Sequence, residues 1–142
     1  MKKKITLIIG VLVIIIGLIL HSFFIPRDFK NALDVDFQKV DKILMSSGNY
    51  GKTVEITDKD EIEQFLNQFD NIKVKKSFSQ SRKTGYCLEA KLFISDKKVI
   101  SFSYGYDRIS IYKNDKETKY ISNINIDNDE INEIEIKYNL RN

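Results

Sequence analysis

From Ile72 to Ser122 the chain keeps a period of two. The runs "IKVKKSFSQ", "GYCLEAKLFIS", "KKVISFSYGY", "RISIYK" and "TKYIS" each alternate apolar with polar residues, and that period puts successive side chains on opposite faces of a strand. In the second run Tyr86, Leu88, Ala90, Leu92 and Ile94 share one face, with Cys87, Glu89, Lys91 and Phe93 on the other. In the third, Ile100, Phe102, Tyr104 and Tyr106 oppose Ser101, Ser103 and Gly105. One apolar and one polar face predict an antiparallel sheet covered on one side only. The joints "SRKTG", "SDKK" and "KNDKE" read as turns.

The cover is predicted from the stretch before the switch. In "TDKDEIEQFLNQFDN", Ile62, Phe65, Leu66 and Phe69 fall at i, i+3, i+4 and i+7, one apolar helical stripe. Thr57 or Asp58 can cap it, and Asp60 and Glu61 suit the positive end of the helix dipole. Upstream, "VDKILMSS" and "KTVEIT" read as two strands around a Gly-Asn-Tyr-Gly turn. "GNYGKT" fails as a phosphate-binding loop, because Ser46 stands where the motif wants glycine and a strand follows where it wants a helix. The tail fits a helix through Ile131, Ile134 and Tyr138, or a strand through Ile134, Ile136, Tyr138 and Leu140. The expected fold is α+β, a mostly antiparallel sheet with one firm helix packed on one face and a short C-terminal helix.

At the other end, Lys2 to Lys4 precede an apolar run from Ile5 to Ile25, 21 residues closed by Pro26. A helix of that length reaches roughly 30 Å, the thickness of a hydrocarbon core. The exit "LILHSFFIPR" has no small-x-small cleavage site, and Cys87 lies too far downstream for N-terminal lipidation. The expectation is an uncleaved single transmembrane helix over 1–26, a polar tether over 27–39 and an extracytoplasmic domain over 40–142. The leading lysines place the N-terminus in the cytoplasm, so the chain would be a single-pass protein of the cell membrane, with the membrane as partner through residues 5–25.

"ILMSSGNYGKTVEITDKDEIEQFLNQFDNI", followed by "GYCLEAKLFI" and "VISFSYG", resembles a class of small extracytoplasmic domains of unknown function. These stand behind an N-terminal anchor or lipid signal in low-GC Gram-positive bacteria. The resemblance implies the architecture and the location, and carries no functional residues.

Charge narrows the partners. The net charge is +3, but four of the 23 basic residues (Lys2, Lys3, Lys4, Arg27) precede residue 28, leaving 19 against 20 acidic residues. No nucleic acid is therefore expected. The single histidine, His21, lies in the apolar run, so the domain has no imidazole for a Ser-His-Asp or Cys-His arrangement or a histidine-rich zinc site. Cys87 is then a small packed side chain, and Tyr104, Tyr106 and Tyr112 read as core or core margin before they read as a sugar platform. The acidic run Asp127 to Glu135 fails the calcium-loop spacing twice, at Asn132 and Tyr138. No cofactor and no metal are expected.

One asymmetry stands out: Lys73, Lys75, Lys76, Arg82 and Lys83 form a basic stretch without an acid. It reads as lysines shielding a sheet edge, or as a patch for an anionic envelope component or envelope protein. The functional expectation is a membrane-anchored, non-catalytic binding or regulatory module. An immunity- or inhibitor-type interaction protein is the alternative, with a histidine-independent envelope enzyme behind it.

Overall fold

The computed structural model describes residues 2–79, 86–105, 108–123 and 128–141. Its centre is one eight-stranded antiparallel sheet in the order β1-β4-β8-β7-β6-β5-β2-β3. The strands are β1 (Arg27–Asp28), β2 (Lys42–Ser47), β3 (Thr53–Ile56), β4 (Lys73–Lys76), β5 (Leu88–Ile94), β6 (Lys97–Gly105), β7 (Arg108–Lys113) and β8 (Lys116–Ser122). The helices are α1 (Lys2–Phe24), α2 (Phe29–Leu33), α3 (Lys59–Asn67) and α4 (Asn128–Lys137), with a 3-10 turn at Phe37–Lys39. Strands β5 to β8 form a meander, the hairpin β2–β3 joins its β5 side, and β4 joins its β8 side. The segment carrying α3 therefore crosses one face of the sheet, from the β3 edge to β4.

Local chemistry sets the joints. Asn114 and Asp115 (φ 51° and 61°) close β7–β8, and Ser95 and Asp96 (φ 51° and 60°) close β5–β6. Both are two-residue loops left-handed at both positions, the geometry that matches strand twist. At the β2–β3 turn Gly51 takes φ 65°, and a Cβ on Gly48 would sit 1.8 Å from the Tyr86 carbonyl oxygen. Glycine is required there by space. At the start of α3, the Asp58 side chain accepts the Asp60 and Glu61 amides, both at 3.0 Å.

The core lies between the sheet and α2, α3 and α4. Ile43, Met45, Leu88, Ala90, Leu92, Ile100 and Phe102 from the sheet are buried with Ile62, Phe65, Leu66 and Phe69 from α3 and the turn after it. The α3 stripe packs as its spacing predicts. The tail forms a helix, with Ile131 and Tyr138 buried.

Two expectations meet a different outcome. Residues 27–39, expected as a polar tether, hold β1, α2 and the 3-10 turn, and Phe29 and Leu33 are fully buried. Polar residues dominate that stretch in number, but two large apolar side chains four apart on one helix face decide its place.

The second outcome is a correction to the single transmembrane helix expected over 5–25. Among the described residues, no helix is long and apolar enough to cross a membrane. The single-pass, cell-membrane localisation with an extracytoplasmic domain loses its support with it. The apolar side chains of α1 are exposed, Leu7 at 71% and Leu18 at 68%. At its C-terminal end Phe23 stacks on Phe78, ring centroids 4.7 Å apart.

Burial of Phe29 is directly testable. Phe29→Ala should lower unfolding free energy by about 3–5 kcal/mol, the usual cost of emptying a large core site. Urea unfolding followed by circular dichroism measures it. A segment acting as a loose tether would leave the midpoint unmoved.

Candidate functional site

A cleft of about 540 Å³ opens between α2, the 3-10 turn and α3, lined by Lys30, Phe37, Gln38, Val40, Lys59, Ile62, Glu63, Leu66 and Asn67. That volume lies in the range of small-ligand pockets. Its floor is apolar: Val40, Ile62 and Leu66 are buried, and Phe37 packs against the core from the margin. Its rim is polar, with Gln38, Lys59, Glu63 and Asn67 exposed.

Each wall is fixed by specific contacts. Phe29 anchors α2 in the core and so places Lys30 at the rim. The Lys30 ammonium donates to Asn67 Oδ1 at 3.2 Å, pairs with Asp70 and lies 5.6 Å from the Phe37 ring centroid, linking α2 to the end of α3. The 3-10 turn is capped by Asp36, which accepts the Gln38 amide at 3.3 Å. Between these pieces Asp34 takes φ 52°, and its carboxylate accepts from Lys113 at 2.5 Å. That hydrogen bond and the lysine charge hold the Asp34 carboxyl below the usual carboxylate range.

The candidate residues of the sequence lie elsewhere. Lys73 and Lys75 are exposed on β4, and the Lys73 amide donates to Asn123 Oδ1 at 2.7 Å. The Lys76 ammonium is 5.2 Å from the Phe23 ring centroid of α1, half-buried. Arg82 and Lys83 lie outside the described residues. The shielded-edge reading changes in detail: β1 covers β4 only opposite Val74 and Lys73, so β1 is the terminal strand. Tyr104 is in the core and Tyr112 is on the opposite sheet face, so they form no common platform; Tyr106 lies outside the described residues. Of the acidic run, Asp127 also lies outside them.

The most enclosed ionisable group is one the spacing argument passed over. Glu135 is fully buried, and Ser47 Oγ donates to its Oε1 at 2.5 Å. Ser47 Oγ also accepts the Asn49 and Tyr50 amides, both at 3.2 Å, so one hydroxyl joins α4 to the β2–β3 turn. Arg141 completes the group. Its Nε lies 3.7 Å from Glu135 Oε2, its Nη2 donates to Asn132 Oδ1, and its carbonyl accepts from Lys52 at 3.1 Å. Nearby Cys87 is buried, and both burial and the Glu135 charge push its thiol upward, against nucleophilic use. The signal was present in the sequence: Ile131, Ile134, Glu135 and Tyr138 occupy i, i+3, i+4 and i+7, an apolar template with a carboxylate in it.

The open sheet face carries a second polar group. Register aligns Glu89, Ser103, Ser110 and Lys119 in one row, and Lys91, Ser101, Tyr112 and Glu117 in the next. Ser101, Ser103 and Lys119 are buried on this face. Glu117 accepts from Ser110 at 2.9 Å and Tyr112 at 3.1 Å, and Lys119 is 3.7 Å away. The serine and lysine that a histidine-free enzyme would need are thus both turned toward one carboxylate. Among the described residues, no three His, Cys, Asp or Glu side chains are grouped to hold a metal.

Compared with known proteins, the chain matches no family model, no curated protein and no solved structure.

Two outcomes follow from these contacts. Ser47→Ala should cost about 1–3 kcal/mol, because it strips a buried carboxylate of its donor. Ser47→Ala with Glu135→Leu should recover most of that loss, since well-packed apolar replacement of a buried polar pair is often near neutral; urea midpoints of the three proteins check it. For Cys87, a raised folded pKa means the native state holds its proton longer than the unfolded chain. Its contribution is complete below the unfolded value and stability falls as pH rises past about 8.5. Cys87→Ala should flatten that alkaline decline in thermal unfolding between pH 8 and pH 10.

Proposed function

We propose that this chain is a non-catalytic binding module and that the cleft beside α3 is its binding site. One observation carries the reading: a buried apolar floor and an exposed rim of amides and charges face the same half-open cleft. That combination buries a ligand and orients it. The other two polar groups turn toward partners within the fold. Glu135 faces Ser47 and Arg141, and Glu117 gathers Ser110, Tyr112 and Lys119.

A non-catalytic role is supported by the chemistry of the same cleft. Its lining offers two lysines, one glutamate and two amides, with no serine, cysteine or histidine among them. Lys30 is engaged by Asn67 and Asp70, which leaves it the task of fixing the wall. No cofactor enters this reading. The anionic partner considered for Lys73 and Lys75 is a separate contact on the far side of the sheet, and Lys76 is already drawn toward α1.

Ligand binding to the native state raises its stability, by about 2.7 kcal/mol at a hundredfold excess over Kd. A thermal-unfolding panel of amino acids, short peptides, fatty acids, sugars and phosphates should contain a class that raises the Tm of the wild-type chain. Glu63→Trp, an exposed residue enlarged into the cleft mouth, should abolish that rise while keeping the circular dichroism spectrum. A panel without any cleft-dependent rise overturns the reading.

A further inference from the structure

We infer that α1 docks on a lipid surface and that Lys75, with Lys76 beside it, meets the anionic headgroups of that surface. This contact is independent of the cleft.

The helix sets the chemistry of its partner. Val11 to Ile16 are all apolar and all exposed, and at about 3.6 residues per turn they point in every direction around the axis. A second copy or a protein groove covers one stripe of a helix and leaves the opposite side in water. Hydrocarbon surrounds a helix on all sides. Attachment does not require a crossing, and among the described residues no helix is long and apolar enough for one.

Strand register fixes what lies where the helix ends. Ile25 and Pro26 lead from α1 directly into β1, which pairs with β4 only at Val74 and Lys73. The next residues of β4, Lys75 and Lys76, have β8 on one side and lie beyond the end of that β1 pairing on the other. The end of α1 is therefore beside them. Phe23 stacks on Phe78 at 4.7 Å, and Phe24 meets the same ring edge-on at 5.5 Å. The Lys76 ammonium is 5.2 Å from the Phe23 ring centroid. Phe24, Ile25 and Phe78 remain exposed, so the apolar surface of the helix continues onto the domain.

Charge selects the kind of lipid. From Val74 to Ser79 the chain carries no acid. Lys73 has an acid, Asp28, opposite it in register, whereas Lys75 and Lys76 have Ile121 and Tyr120. Among the described residues, neither Lys75 nor Lys76 forms an ion pair. Lys75 is exposed beside exposed Ile121. A lysine there lays its stem on apolar surface and turns its ammonium toward phosphate. Lys76 keeps its charge while it lies against Phe23. An apolar helix, phenyl rings at its end and lysines just outside follow the order of a lipid leaflet, from acyl chain to headgroup.

The test is flotation of the full-length chain with vesicles of phosphatidylcholine alone, or of phosphatidylcholine mixed with phosphatidylglycerol. The chain should float with both, more tightly with the anionic vesicles, and salt should narrow the difference. Lys75→Gln with Lys76→Gln should lower affinity for the anionic vesicles roughly tenfold to thirtyfold, at about fivefold per lysine, and leave binding to phosphatidylcholine unchanged. Ile8→Asp with Ile15→Asp, at two exposed positions, should abolish flotation with both while the circular dichroism spectrum of the domain is kept. A chain that floats with neither vesicle overturns the proposal, and concentration-dependent sedimentation would then assign α1 to a second copy. Equal affinity for the two vesicles, or a preference that survives the double glutamine variant, overturns the headgroup role of Lys75 and Lys76.

Discussion

The structure depends on one aromatic contact set in which six rings meet between helix and sheet. Phe29 of α2 meets Phe102 of β6 edge-on at 5.1 Å, and Phe69 after α3 meets Phe29 at 5.4 Å and Phe102 at 5.4 Å. Phe65 reaches Phe69 at 5.2 Å, Tyr104 stacks on Phe69 at 5.6 Å, and Tyr138 beyond α4 touches Phe65 at 5.9 Å. Each such pair contributes about 0.5–1.5 kcal/mol beyond its area. Their greater consequence is geometric. Helix α2 and the α3 segment are referred to the same two sheet residues, and Tyr138 after α4 joins them through Phe65, so their relative positions are set by one cluster rather than by loops.

The cleft inherits its shape from that cluster. Lys30 follows Phe29 in the chain, and Leu66 and Asn67 follow Phe65, so the residues lining the cleft are the immediate neighbours of residues buried in the core. A side chain one position away from a locked ring has little freedom to drift. The salt link from Lys30 to Asp70 and the hydrogen bond to Asn67 then close the wall on the solvent side. Exposed pairs of this kind contribute little to stability, but they fix an already restricted side chain in direction. Preorganisation of this sort reduces what a ligand must order when it binds.

Much of the sheet was legible because its signal is local. Alternation in Leu88 to Leu92 and Ile100 to Tyr104 reports burial residue by residue, and the α3 stripe of Ile62, Phe65, Leu66 and Phe69 does the same at period 3.6. What escaped was set by tertiary contact. Residues 27–39 look polar by count, yet Phe29 and Leu33 decide where they sit. Serines on an open face look exposed, yet Ser101 and Ser103 are buried. Glu135 looks like a surface acid until Ser47, 88 residues earlier, supplies its donor. The basic stretch was legible as a run of charge, but its Lys76 is committed to a ring on α1 that no spacing argument connects to it. The cleft itself could not be read, because one wall belongs to the segment that composition presents as a tether.

The three polar groupings of the molecule differ in how much of their capacity the fold consumes. Around Glu135, the carboxylate holds Ser47 against α4 and the turn amides complete the hydroxyl, so the group acts as a clamp. On the open face, Glu117 takes two hydroxyls across neighbouring strands and stands beside Lys119, which makes the row a cross-strand brace. Both are arrangements in which the protein is its own ligand. At the cleft the apolar floor is complete and the wall is tied at Lys30, while Gln38 sits at the rim of a space of about 540 Å³. The first group clamps α4 to the β2–β3 turn and the second braces β7 against β8, whereas the amides around the cleft's hydrocarbon floor are the ones the proposed binding role would draw on.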